Sequence, residues 1–155
     1  MNEHPMRRKD RALTEAQALE TLQSALFATV SCLMPDGTPY GVTVSHAVEG
    51  KTLYFHCAMQ GLKVDCFTAH DRVCVSAVAH AETDAPGLTT KYRSAVCFGR
   101  IRALSGQEAA NGLRVIGRKF SPEHMPAVED CIGKSMDHTR VYAVELNEIH
   151  GKGNI

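Results

Sequence analysis

A mainly antiparallel β-barrel with helices packed outside it is the fold class this sequence predicts, and three observations predict it. Two hairpins follow each other directly between Phe27 and Cys57, which makes a meander. The chain then offers further apolar-alternating runs, for about six strands in all. Three or four helices fall at the start or late in the chain, so strand and helix do not alternate as a doubly wound parallel sheet requires. A small barrel of this kind fills its lumen with side chains, so a ligand must lie on its outer wall, with a second subunit to enclose it.

Thr14-Glu15-Ala16-Gln17 is a capping box, because the threonine hydroxyl and the glutamine amide can each satisfy an orphaned backbone N–H. Leu19, Leu22 and Leu26 follow at helical spacing and predict a helix over about 15–25. Phe27 to Leu33 is β-rich, and Pro35-Asp36-Gly37-Thr38 turns it into a second strand, Pro39 to Val48. Glu49-Gly50-Lys51 turns again into a third, Thr52 to Cys57. Leu62 to about His70 reads as a helix that Asp71-Arg72 ends.

Val73 to Ala79 is the next strand, with Val73, Val75, Ala77 and Ala79 on one face. The polar stretch 80–90 is long for a connecting loop and invites a role. Tyr92 to Leu104 is a long strand, and Ser105-Gly106-Gln107-Glu108 is a second capping box opening a helix to about Phe120. Ser121-Pro122-Glu123 starts a short helix, with serine as cap and proline in the first turn. Arg140 to Leu146 alternates as a final strand.

The 155 residues fit one domain, 1–155, whose first 13 form an N-terminal arm. That arm carries the basic cluster Arg7-Arg8-Lys9 and is expected to be solvated. Seventeen basic residues balance seventeen acidic ones, so no nucleic-acid partner is expected. No apolar run reaches the roughly 20 residues that span a bilayer, and no signal segment opens the chain, so no membrane partner is expected. The six cysteines lie mostly in apolar runs with no C-x-x-C pair. A reduced, cytoplasmic protein without a metal site follows.

No G-x-G-x-x-G, Walker, G-x-S-x-G or H-E-x-x-H motif is present. Attention therefore falls on residues 53–63, where a strand ending in His56 and Cys57 runs into Gly61-Leu62-Lys63 at a helix start. Backbone N–H groups there converge on one point and a lysine in the first turn adds charge, which suits a phosphate. Strand parity puts His56 opposite Leu53, Phe55 and Cys57, so Cys57 faces the core and reads as an inert thiol. The polar positions Thr43, Ser45 and His46 on the second strand, and Tyr92-Arg93-Ser94, complete the candidates. Arg93 shares a face with Ala95 and Cys97, from which it can snorkel to water or reach a phosphate.

The stretch L-Y-F-H-x-A-x-x-G-x-K, the strand Y-R-S-x-x-x-x-G-x-x-x-x-L-S and the opening Met6 to Arg11 resemble the FMN-binding split-barrel proteins. The closest branch is the 5-nitroimidazole resistance (nitroreductase-like) family, a relative of pyridoxamine phosphate oxidase. The resemblance runs from Met6 to Lys152. It implies a six-stranded split barrel, and a homodimer holding FMN at the subunit interface. Lys63 would take the FMN phosphate, and Leu62 stands where the oxidase branch carries an arginine. His56 and Cys57 would meet the ribityl and phosphate, and Val44 and Ser45 would run beneath the ring. Ser94 replaces a glutamine that contacts the ring in the oxidase. The oxidase's C-terminal arginine- and tryptophan-containing segment has no counterpart, so pyridoxamine phosphate oxidation is not expected.

The implied activity is FMN-dependent reduction of small electrophilic aromatics such as nitroimidazoles, with a nicotinamide nucleotide, NAD(P)H, as electron source and His56 beside the reacting groups as proton donor or clamp. The rivals are a noncatalytic flavin or haem carrier, with His46 or His56 at the cofactor, and a cofactor-free structural dimer.

Overall fold

The strand that begins at Pro39 changes partners part-way, and that change sets the architecture. In the computed structural model, which describes residues 5–155, eight strands and four helices form. β1 (Ala12–Leu13) precedes α1 (Glu15–Ser24), and β2 (Phe27–Leu33) pairs antiparallel with β3 (Pro39–Ser45). β4 (Ala47–Glu49) pairs instead with β5 (Thr52–Ala58). α2 (Leu62–Ala69), β6 (Arg72–Asp84), β7 (Thr89–Leu104), α3 (Gly106–Phe120), α4 (Met125–Ser135) and β8 (Thr139–Asn154) complete the chain.

The sheet runs β3-β2-β6-β7-β8-β5-β4, all neighbours antiparallel, with β1 on the far part of β8. Its two ends, β3 and β4, are consecutive in the chain and joined only through His46. The sheet is therefore closed at one corner and open beyond it. β3 has β2 on one side and no strand on the other. Phe55 to Ala58 of β5 likewise have β8 alone.

Lys119 holds that corner. Its Nζ, on the last turn of α3, donates to Ala25 O at 2.6 Å and to His46 O at 2.8 Å. It thus satisfies a carbonyl just after α1 and the carbonyl where the strand leaves its partner. The His46 ring is fully buried, and its Nε2 donates to Leu22 O at 2.7 Å. α3 lies over the outside of the corner, with Val115 and Ile116 against Ala47 and Tyr54. Inside, Val30, Leu53, Phe55, Val75, Cys97 and Val144 interdigitate as one core.

All six predicted strands form, with corrections. The count is eight because residues 39–48 divide at His46 and because β1 exists. The N-terminal arm is not wholly solvated, since Ala12 and Leu13 pair with Lys152 and Gly151. The loop expected at 80–90 shrinks to a turn at 85–88, because β6 and β7 extend to Asp84 and Thr89 across a bulge after Ala79. The first capping box forms as read, Thr14 Oγ1 accepting from Gln17 N at 3.2 Å. The second does not. Ser105 makes no side-chain cap bond where Gly106 enters the helix at φ +55°, and the Glu108 carboxylate that would complete the box accepts from Arg102 Nη2 at 2.8 Å instead.

His46 makes the corner sensitive to pH. Burial pushes its pKa down to about 4, against the backbone bond to Leu22 and with help from the Lys119 charge. An unfolded histidine titrates near about 6.5, so between these values the unfolded chain binds the extra proton. The contribution is whole above about pH 6.5 and is lost as pH falls toward the folded value. From pH 7.5 to 5.0 the chain should lose about 2 kcal/mol of unfolding free energy through this group. Urea titrations of the chain and of His46→Gln check it. The variant should lack that increment, and equal losses in both would remove His46 from the linkage.

Candidate functional site

The free edges left by the strand exchange form the candidate site, and α2 sits at its end. α2 is pinned by aromatic packing at the barrel mouth. Phe67 meets Tyr142 edge-on at 5.0 Å and Phe55 at 5.9 Å, and Phe55 stacks on Tyr142 at 5.4 Å. Val64 and Cys66 of the same helix are buried. Gly61, at φ +146°, makes the turn from β5 into the helix, a backbone conformation that side-chain-bearing residues avoid. The first backbone N–H groups of α2 and the half-buried Lys63 are thereby set beside the end of β5.

Cys57 closes β5 on the core-facing side, half-buried, and its register partner is Arg140 at the start of β8. Lys63 and Arg140 both act electrostatically on this thiol, drawing its pKa down, but burial outweighs them and the net shift is upward. Among the described residues, no carboxylate forms an ion pair with Lys63 or Arg140, and the buried Arg140 Nε has no hydrogen-bond partner. Asp65 stands in the first turn of α2 but pairs with neither cation, and two cations without an ion-paired carboxylate beside a helix N-terminus are a place where an anionic group fits. A phosphate is therefore compatible with the residues present.

His56 projects from the outer side of the same strand end, opposite Phe55, and is solvent-accessible. Partial burial lowers its pKa, so the ring is neutral at pH 7. Ser45 is exposed at the end of β3, whereas the Val44 side chain turns into the core and only its backbone lies along the free edge. Leu62 opens α2 and is exposed. Those residues gather around the split. Ser94 does not join them within one chain: it lies on β7, separated from β3 by β6 and β2, and its Oγ donates to Lys152 O at 3.2 Å. Arg93 lies 3.9 Å from Glu20 on α1, at the far end of β7 from Leu104, so it does not approach Lys63. His46, buried on Leu22 O, has no access to a ligand on the outer wall.

Arg140 went unread in the sequence as a site residue. The signal was parity: it shares the core face of Tyr142 and Val144, an odd place for a cation. Along the outer wall a depression of about 570 Å³ is lined by Phe27, Thr29, Thr43, Ser76 and Val78. Leu26, Phe27 and Val78 are each more than half exposed there.

No metal-binding cluster of histidine, cysteine and carboxylate side chains occurs among the described residues, and no helix is long and apolar enough to cross a membrane. A mainly antiparallel sheet that closes at one corner and parts beyond it is a split β-barrel. The chain belongs to the pyridoxamine 5'-phosphate oxidase family, whose model matches residues 14–153.

Solved structures agree on the fold. A Bacteroides thetaiotaomicron protein assigned to 5-nitroimidazole antibiotic resistance superposes with a TM-score of 0.74 at 21% identity, over 91% of this chain and 85% of that one. The flavocytochrome Anf3 of Azotobacter vinelandii gives 0.82 at 20% identity, over 98% and 73%. An FAD and heme binding protein of Mycobacterium smegmatis gives 0.79 at 18%, over 93% and 73%. No curated protein matches the chain.

The raised pKa of Cys57 makes it a poor nucleophile at neutral pH. Iodoacetamide at pH 7.5, followed by peptide mass spectrometry, should alkylate the exposed Cys131 well before Cys57. Lys63→Ala should slow Cys57 further. Faster labelling of Cys57 than of Cys131 would restore it as a reactive thiol.

Proposed function

We propose that this chain is an FMN-binding flavoprotein, a homodimer that reduces small electrophilic aromatic compounds of the nitroimidazole kind with electrons from a nicotinamide nucleotide. The observation that carries the reading is a pair of cations without an ion-paired carboxylate at the end of β5, Lys63 at the α2 N-terminus and Arg140 at the start of β8 in register with Cys57. Lys63 would hold the phosphate with the first N–H groups of α2. The β3 edge, including Val44 and Ser45, would offer backbone hydrogen bonds to the ring. Bound flavin supplies the hydride chemistry, and the protein positions it.

His56 stands on the outer side at the same strand end, with Cys57 behind it. Its ring is neutral at pH 7, which suits a hydrogen-bonding clamp on the acceptor better than a proton donor. Ser94, distant within one chain, would meet a ring only across a dimer interface. The apolar outer wall of Leu26, Phe27 and Val78 supports such an interface, since a ligand on the outside of a filled barrel needs a cover. The family match and the 5-nitroimidazole-resistance neighbour agree with this assignment.

A second reading, a noncatalytic flavin or haem carrier, is favoured by the flavocytochrome and the FAD and heme binding protein among the structural neighbours. Of the two histidines that reading names, His56 is accessible to a cofactor, whereas His46 is fully buried on Leu22 O. Visible spectra of purified protein separate the two cofactors: flavin gives bands near about 370 and 450 nm, haem a Soret band.

Lys63→Ala should weaken FMN binding by about 1.5–3 kcal/mol, the range for a hydrogen bond to a charged group, with little change in the stability of the chain alone. Fluorescence titration checks it, and unaltered affinity would sink the phosphate assignment. His56→Ala should retain flavin while raising KM for a nitroaromatic acceptor, with kcat falling less than about tenfold. A loss of roughly 10²–10⁴-fold in kcat with full flavin would make His56 a general acid instead. Light scattering at micromolar concentration should return twice 16.9 kDa, and a 16.9 kDa monomer would defeat the dimer.

A further inference from the structure

Arg140 is the one cation of the barrel mouth that neither the sequence pattern nor the family match explains. It stands at the first turn inward of β8, in register with Cys57, on the same face as Tyr142 and Val144. Tyr142 is next to it on that face, with Phe55 and Phe67 packed on Tyr142, and Asp65 of α2 acts electrostatically on the same tyrosine without pairing with Arg140. Its Nε is buried without a partner, and no carboxylate forms an ion pair with it among the described residues. A guanidinium held like this carries a desolvation cost that an anionic acceptor would remove. Lys63, also without an ion-paired carboxylate, acts electrostatically on the same Cys57 thiol as Arg140 does. Position 62, one residue before that lysine, is the exposed Leu62, so α2 itself brings only one cation.

We propose that Arg140 is the second phosphate ligand, delivered from β8, and that with Lys63 it selects a flavin ending in a phosphate monoester over one whose two phosphates are joined as a pyrophosphate. This rests on the flavin reading above. The chemistry follows from charge. A terminal phosphate monoester carries about −1.5 to −2 at pH 7 and offers three acceptor oxygens, enough for a guanidinium fork, an ammonium and the helix N–H groups together. Each phosphate of FAD carries a single charge and has an oxygen tied up in the anhydride bond between the two phosphates, so the same pair of cations is left partly unmatched. Arginine fits this role better than lysine because its fork presents two parallel N–H donors to one phosphate.

The test is titration of apoprotein with three probes, FMN, FAD and riboflavin, followed by flavin fluorescence. For the unsubstituted chain FMN should bind more tightly than either of the others. Arg140→Met should weaken FMN by about 10–100-fold, the range for losing a charge-assisted bond, and leave riboflavin, which has no phosphate, within about twofold. Arg140→Lys, which keeps a cation and guards against a variant that does not fold, should fall between the two. Thermal unfolding of each apoprotein confirms that the fold is kept. FMN affinity unchanged in Arg140→Met and Arg140→Lys would overturn the role of Arg140 while leaving the flavin reading intact. Equal losses for FMN and riboflavin would make Arg140 a structural residue and overturn it too. An unsubstituted chain that binds none of the three flavins would overturn both, and one that prefers FAD would overturn the selectivity.

Discussion

The carbonyl of His46 is where this barrel parts, and Lys119 is what holds it there. Ser45 is the last residue of the strand to pair with β2, and Ala47 the first to pair with β5. The residue between them has no ladder partner, so its carbonyl would be orphaned inside the protein. Lys119 reaches over from α3 and binds it together with Ala25 O, tying the end of α1, the strand junction and the outer helix at one nitrogen. With the corner fixed, β3 and β5 each run on with one bare edge. Bare strand edges inside a small protein are a liability unless something covers them. Here β5 leads through Gly61 straight into the N-terminus of α2.

That ending is made rigid by packing of a different kind. Phe55, Phe67 and Tyr142 lock α2 across the mouth, so Lys63 is set by the core beneath it. The Tyr142 hydroxyl is pushed up to about 12, by burial first and with help from Cys57 and the Asp65 carboxylate against the charge of Arg140, and so stays neutral beside the cations. The mouth thus holds its two cations beside a largely apolar, aromatic wall, with Asp65 in the first turn of α2. Electrostatic attraction is stronger in such a setting than on an open surface. The family relationship shows the fold, and this local charge gives the proposed flavin its place on it.

Much of this was legible in the sequence, because alternation and turn chemistry are local. β2 has the predicted limits, and α1 and α2 fall within a residue or so of theirs. His56 facing out and Phe55 facing in followed from parity alone. What was not legible depended on distant partners. Nothing around residue 46 announces a strand that changes neighbours, since the side chain that stabilises the break comes from position 119. Half of the Ser105 capping box failed for the same reason, as Arg102 on the preceding strand takes the Glu108 carboxylate. Arg140 reads as the polar start of a strand until its register against Cys57 places it beside Lys63's helix.

A crystal structure of the chain with FMN tests the central claim most directly, namely that the edges freed at His46 are the ligand site. The account predicts the phosphate at Lys63 and the first turn of α2, with the ring along the bare edge of β3 between Tyr40 and Ser45. FMN seated away from that edge, or a β3 edge found paired with protein in the complex, would contradict it.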